Sequence, residues 1–136
     1  MPAKGQDTMQ TSLFLAKLIG PTLAVIGAGI LFNAKGFREV AAEFMRSPAL
    51  VFLIGHIALP AGIATVLVHN VWVADWPVII TILGWLAIIG GALRILAPQR
   101  ATDTGRKLLA KPHTLTIAGA FWLALGSTLS YFGYAR

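Results

Sequence analysis

At 136 residues the chain suits one domain, and it is 57% hydrophobic with only 12% of its residues charged, against about a quarter in ordinary soluble domains. So few charges cannot coat a globule of this size, and the medium expected around most of it is lipid. The absence of cysteine excludes disulfides, thiolate metal sites and cysteine nucleophiles. The net charge of +6 flanks apolar stretches, which suits a bilayer with anionic headgroups and argues against nucleic acid.

Residues 1–11 read as a short polar tail. The apolar run behind it is too long for the core of a secretory signal and predicts a first span over 12–32. Pro21 falls inside it, which a membrane helix tolerates when a neighbour satisfies the freed carbonyl. In the following loop Phe37, Val40, Ala41, Phe44 and Met45 keep i, i+3, i+4, i+7, i+8 spacing. Arg38, Glu39, Glu43 and Arg46 take the other faces. This predicts a short helix over 36–46, either lying in the interface plane or connecting with one face partly buried.

A second span is predicted over 49–68, with His56 and Pro60 inside. Residues 69–76 form a short turn, and a third span follows over 77–96. Its twenty residues at about 1.5 Å rise cover about 30 Å, the hydrocarbon thickness of a bilayer. Asp75 suits its N-cap and Pro77 its first turn. Residues 97–114 read as a basic loop whose Arg100, Arg106, Lys107 and Lys111 face lipid headgroups. A fourth span is predicted over 115–132. Trp72, Trp76, Tyr131 and Tyr134 stand where interfacial anchors belong. The fold class is therefore all-α: a polytopic membrane protein, a four-transmembrane-helix bundle in a single membrane domain.

Four spans put both termini and the middle turn on one face and the two longer loops on the other. The terminal face carries Lys4, Lys17 and Arg136. The loop face carries Lys35, Arg38, Arg46, Arg94, Arg100, Arg106, Lys107 and Lys111. By the positive-inside rule the loops are cytoplasmic and both termini periplasmic.

Each span holds two glycines seven apart, hence on one helix face: Gly20 and Gly27, Gly55 and Gly62, Gly84 and Gly91, Gly119 and Gly126. The first two pairs recur 64 positions later as the last two (Gly20 to Gly84, Gly55 to Gly119), and Pro48 recurs as Pro112. The pattern suggests a tandem duplication of a helical hairpin, with its pseudo-twofold axis along the membrane normal. Span one also repeats small residues every fourth position: Ala16, Gly20, Ala24 and Ala28. Glycines at such positions permit close backbone approach where no water exclusion drives association.

Few side chains suit chemistry. His56 falls about 10 Å into its span by helical rise, where an ionisable group points to function. It suits a haem or chlorophyll ligand or a proton relay; the plainer reading is a neutral imidazole bonded to a neighbouring helix. His69 and His113 stand at other levels, so a bis-histidine haem needs two copies of the chain. Arg94 reads as an interfacial anchor or, less simply, a substrate clamp. Trp85 and Trp122 read as packing opposite glycine or as the border of a quinone or pigment site. All five acids lie outside the spans, and no hydrolase elbow, zinc helix, P-loop or dinucleotide fingerprint occurs.

The stretch His69-Asn70, Trp72, Trp76-Pro77, Ile80-Thr81 and Gly84-Trp85-Leu86 resembles small, uncharacterised bacterial integral membrane proteins with four helices. The likeness runs from span one through Pro98. It implies placement in the bacterial inner membrane, and it implies no activity and no catalytic residue. The leading expectation is a non-enzymatic accessory or scaffold subunit acting through glycine-mediated helix packing, as a homo-oligomer or in a larger complex. The alternatives are a small transporter or channel for an apolar or weakly polar solute, and a haem-, quinone- or pigment-binding subunit using His56. The leading reading calls for no cofactor and no metal.

Overall fold

The computed structural model describes residues 4–135. Six helices follow in chain order: α1 (Lys4–Phe32), α2 (Ala34–Met45), α3 (Pro48–Val68), α4 (Pro77–Leu96), α5 (Pro98–Leu109) and α6 (Thr114–Tyr134). Four of them, α1, α3, α4 and α6, are long and apolar enough to cross a membrane. Their outer faces expose large apolar side chains, among them Val25, Leu67, Leu86 and Ile117. An apolar surface this extensive is foreign to a monomeric soluble protein.

Local chemistry sets the helix starts. Asn33 accepts the Gly36 amide at 3.2 Å, and Ser47 accepts that of Leu50 at 3.4 Å, each relieving one orphan N–H of a first turn. Pro48, Pro77 and Pro98 open α3, α4 and α5, where a missing N–H costs nothing. The Asp75 carboxylate takes the Trp76 amide at 2.7 Å, one position earlier than an N-cap carboxylate normally reaches, and the cap position itself is Trp76.

Two expectations about the polar stretches are corrected. The polar stretch before span one is helical from Lys4 onward; residues 1–3 of the expected tail lie outside the described residues. Its Thr11 and Ser12 hydroxyls bond the carbonyls four residues back, so they do not break the helix. The basic loop after span three is largely helix α5. It is a helix because Pro98 starts it and because an arginine from α2 caps its far end.

The four long helices form two tight pairs, α1 with α6 and α3 with α4. Between the pairs, contacts are sparse. This corrects the expected hairpins: the two spans of one half do not zip onto each other, and each takes its main partner from the other half. The two interfaces correspond contact by contact under the 64-residue shift. A Cβ added at Gly20 would lie 2.6 Å from the Ser130 nitrogen, and one at Gly84 would touch the shifted position, Val66. Gly27 abuts Leu123, and Gly91 abuts Leu59. Gly126 sits against Gly20 and Ala24, and Gly62 against Gly84 and Ile88. Gly119 meets Ile30 and Leu31, and Gly55 meets Arg94 and Ile95. Backbones this close leave no room for a side chain, so van der Waals fit binds each pair.

The short helices obey the same shift. The chain breaks between α1 and α2 at Asn33 (φ −139°, ψ 55°) and between α4 and α5 at Ala97 (φ −142°, ψ 65°). The break is thus the same backbone conformation at equivalent positions.

Candidate functional site

Polar side chains gather at the two ends of the molecule, where the pairs are fastened together. At the end holding the middle turn, His69 follows α3 and is buried to 1% exposure. Its Nε2 lies 2.7 Å from Ser12 Oγ of α1, and its Nδ1 lies 3.1 Å from Thr81 Oγ1 of α4. Thr81 in turn donates to the Val71 carbonyl at 2.9 Å and accepts the Val71 amide at 3.0 Å. Thr81, whose proton goes to the Val71 carbonyl, accepts from Nδ1–H, and around a neutral imidazole the single Ser12 proton then has both Nε2 and the Thr8 carbonyl as acceptors. Burial holds His69 below the ordinary histidine value, because water no longer stabilises the imidazolium. Beside it the Trp76 ring stacks on Phe132 of α6 at 5.4 Å, nearly parallel to it, within a core of Leu15, Ala16, Ile80 and Leu129.

Ser12 and His69 have the reach of a nucleophile and its base. Ser12, however, is 1% exposed, and its one proton is contested by the Thr8 carbonyl at 2.9 Å. The group works as a clasp from α1 to the α3–α4 pair. A cavity of about 550 Å³ opens next to it, lined by Thr8, Met9, Ser12, Val71, Val73, Asp75 and Pro77.

The opposite end is fastened by two reciprocal arginines. Arg38 of α2 donates to the Leu109 carbonyl at the end of α5. Arg106 of α5 donates to the Met45 carbonyl at the end of α2, at 3.0 Å. Leu109 and Met45 are 64 positions apart. Each helix thus receives a cation on carbonyls that its own backbone leaves unpaired, where the helix dipole favours positive charge.

A second cavity of about 550 Å³ lies at this end between α4 and α5, with Met45 of α2 on its rim. Arg94 and Arg100 both line it, and no carboxylate does. Midway between the pairs a cleft of about 160 Å³ is lined by Ile19, Ala58, Ala61, Gly62, Thr65, Leu83, Gly84 and Ala87. The one hydroxyl among them, on Thr65, bonds its own helix at Ala61.

The residues singled out from sequence fall as follows. The eight repeat glycines lie on the two pair interfaces. His56 faces outward on α3; its Nδ1 is 3.1 Å from the Phe52 carbonyl and its ring packs on Phe52, so the expected bond to a neighbouring helix is not made. Trp85 donates to Asn70 at 3.4 Å, and Trp72 to the same oxygen at 2.8 Å. Trp122 stands edge-on to Phe121. Tyr131 is exposed and edge-on to Phe132. Trp76 corrects its expected place at the interface: it is 4% exposed, with its indole N–H unpartnered among the described residues. Arg106 serves the α2 terminus, while Arg100, Lys107 and Lys111 remain exposed. The His69 clasp was missed because Ser12 and His69 are 57 residues apart and no local pattern links them.

Comparisons with protein-family models, with curated proteins and with solved structures return no match to this chain.

Proposed function

We propose that the chain is a non-enzymatic integral membrane protein, a four-helix bundle of the bacterial inner membrane, that serves as an accessory or scaffold subunit of a larger or self-associated complex. One observation carries this reading: all eight repeat glycines are engaged inside the chain. The molecule therefore completes its own packing, and its broad apolar outer faces are left to lipid and partners. The polar groups that reach inside support the same reading, because His69, Ser12, Thr81, Arg38 and Arg106 each hold one helix to another. The matching contacts of the two halves favour descent from a duplicated three-helix unit, α1–α3 and α4–α6.

The charge asymmetry orients the bundle with α2 and α5 in the cytoplasm and both termini in the periplasm. A cysteine introduced at position 3 is then labelled by an impermeant thiol reagent in intact cells; labelling only after permeabilisation refutes the orientation. The scaffold reading is tested on protein produced at native level and extracted in mild detergent. It migrates with one or more further protein chains. Migration as a lone 14.5 kDa chain in its micelle ends the reading.

A further inference from the structure

The placement of Arg94 carries a further inference. A side chain on a helix leans toward the N-terminus, so an arginine in the last turn of α4 must bend back to reach the headgroups beyond Leu96. Arg94 does not. Its Nη1 lies over Gly90, 2.8 Å from where a Cβ on that residue would sit. By helical rise Gly90 is about 9 Å inside the end of the span. An interfacial anchor would reach outward to the headgroups, and the guanidinium is turned inward. Glycine at 90 makes the space for it.

An inward guanidinium needs a counter-charge, since an unpaired cation in a low-dielectric setting is costly. Arg94 has no hydrogen-bond or ion-pair partner among the described residues. Neither has Arg100, which faces the same cavity from α5. The remaining wall is mostly apolar, with Leu93, Leu108 and Met45, and with Thr104 as one hydroxyl. Two unpaired arginines lining one largely apolar cavity describe the complement of an anionic headgroup attached to a hydrocarbon chain. Guanidinium forks suit phosphate, whose free oxygens accept from both arginines at once.

We infer that the cavity between α4 and α5 binds an amphiphile whose phosphate headgroup is net negative, its phosphate between Arg94 and Arg100 and its chain along Leu93 and Leu108. Basic pockets beside membrane helices on the cytoplasmic side hold lipid headgroups by this chemistry. The inference rests on the membrane placement proposed above and is independent of the scaffold role.

The test titrates phosphatidylglycerol and phosphatidylcholine separately onto the purified full chain in zwitterionic detergent, with bound lipid read by native mass spectrometry. Phosphatidylglycerol is retained about tenfold more tightly, a difference of about 1.4 kcal/mol. The R94Q/R100Q variant loses that preference. The R46Q/K111Q variant removes the same charge from the same end but outside the cavity, and it keeps the preference. Gly90→Val displaces the Arg94 guanidinium without removing charge and weakens phosphatidylglycerol retention. Helical circular dichroism and monodisperse elution establish that each variant is folded. Equal loss in R94Q/R100Q and R46Q/K111Q reduces the effect to general surface charge and overturns the site. Full displacement of the lipid by millimolar inorganic phosphate marks a site for a soluble anion and overturns it as well. A protein that stays soluble without detergent removes the membrane placement itself, a failure distinguishable from loss of lipid preference alone.

Discussion

Tyr134 donates its hydroxyl to the Lys17 carbonyl at 2.9 Å, and that carbonyl is the one Pro21 leaves without a helical donor. Proline has no N–H to return to the residue four back, so α1 would carry an orphan acceptor at this point. The last residue of α6 supplies the missing donor from across the pair interface. The Lys17 ammonium also lies 5.9 Å from the centre of the same Tyr134 ring, within cation–π range.

This pairing predicts a dependence between two substitutions. Tyr134→Phe lowers stability by about 1 kcal/mol, the usual worth of one hydrogen bond. In a Pro21→Ala background the helix supplies its own donor, and the same substitution becomes nearly neutral. Thermal unfolding of the four proteins in detergent gives the coupling; equal losses in both backgrounds contradict it.

The His69 clasp gives stability a pH dependence. The folded-state value lies below the ordinary histidine value of 6.5, so between the two the unfolded chain binds more protons than the native one. Stability therefore rises with pH across that window. Its contribution is fully present above 6.5, is lost as pH falls toward the lowered value, and levels off below it. Unfolding temperatures measured from pH 8 to pH 5 show the decline, and His69→Gln removes this component. An unchanged slope in the variant assigns it to another group.

Equivalent glycines predict equivalent damage. A Cβ at Gly27 runs into the Leu123 backbone, and one at Gly91 into the Leu59 backbone at 2.7 Å. Gly27→Ala and Gly91→Ala each cost about 1–3 kcal/mol, the range for overpacking, and agree within about 1 kcal/mol. Gly29→Ala meets only the edge of the Phe37 ring at 3.1 Å, which can shift, so it costs less. A large mismatch between the first two contradicts the equivalence of the pairs.

Exchange of partners between the halves is open to direct cross-linking. The chain has no cysteine, so an introduced pair reports without interference. A Cβ at Gly133 would lie 3.2 Å from that of Ala16, close to disulfide spacing. The A16C/G133C protein, with a protease site placed in turn 69–76, stays in one piece after cleavage under non-reducing conditions. Separation into two fragments there places α1 and α6 apart.

The span limits were legible because continuous apolar runs and prolines mark them; α4 begins at Pro77 and ends at Leu96 as read. The glycine period was legible for the same reason, being a pattern within the chain. Helix α5 was not, since its polar, threonine-bearing stretch is secured by Arg38 from a distant helix. The repeat held the missing signal: the bounds of α2, shifted by 64, are those of α5. Trp76 was misplaced because an aromatic at a span end suits the interface as well as the core, and only the stacking on Phe132 decides. Arg94 was placed at the right end of the right helix, but its direction depended on the space at Gly90.

The exchanged pairing also sets an order of events during synthesis. A ribosome adding about 5–20 residues per second finishes α1 roughly 5–20 s before α6 emerges. Throughout that delay the small-residue stripe of α1 has no cognate helix within its own chain. A neighbouring nascent copy that has already made its α6 presents a competing surface to α1 during that delay, the geometry from which exchange of helices between chains would start.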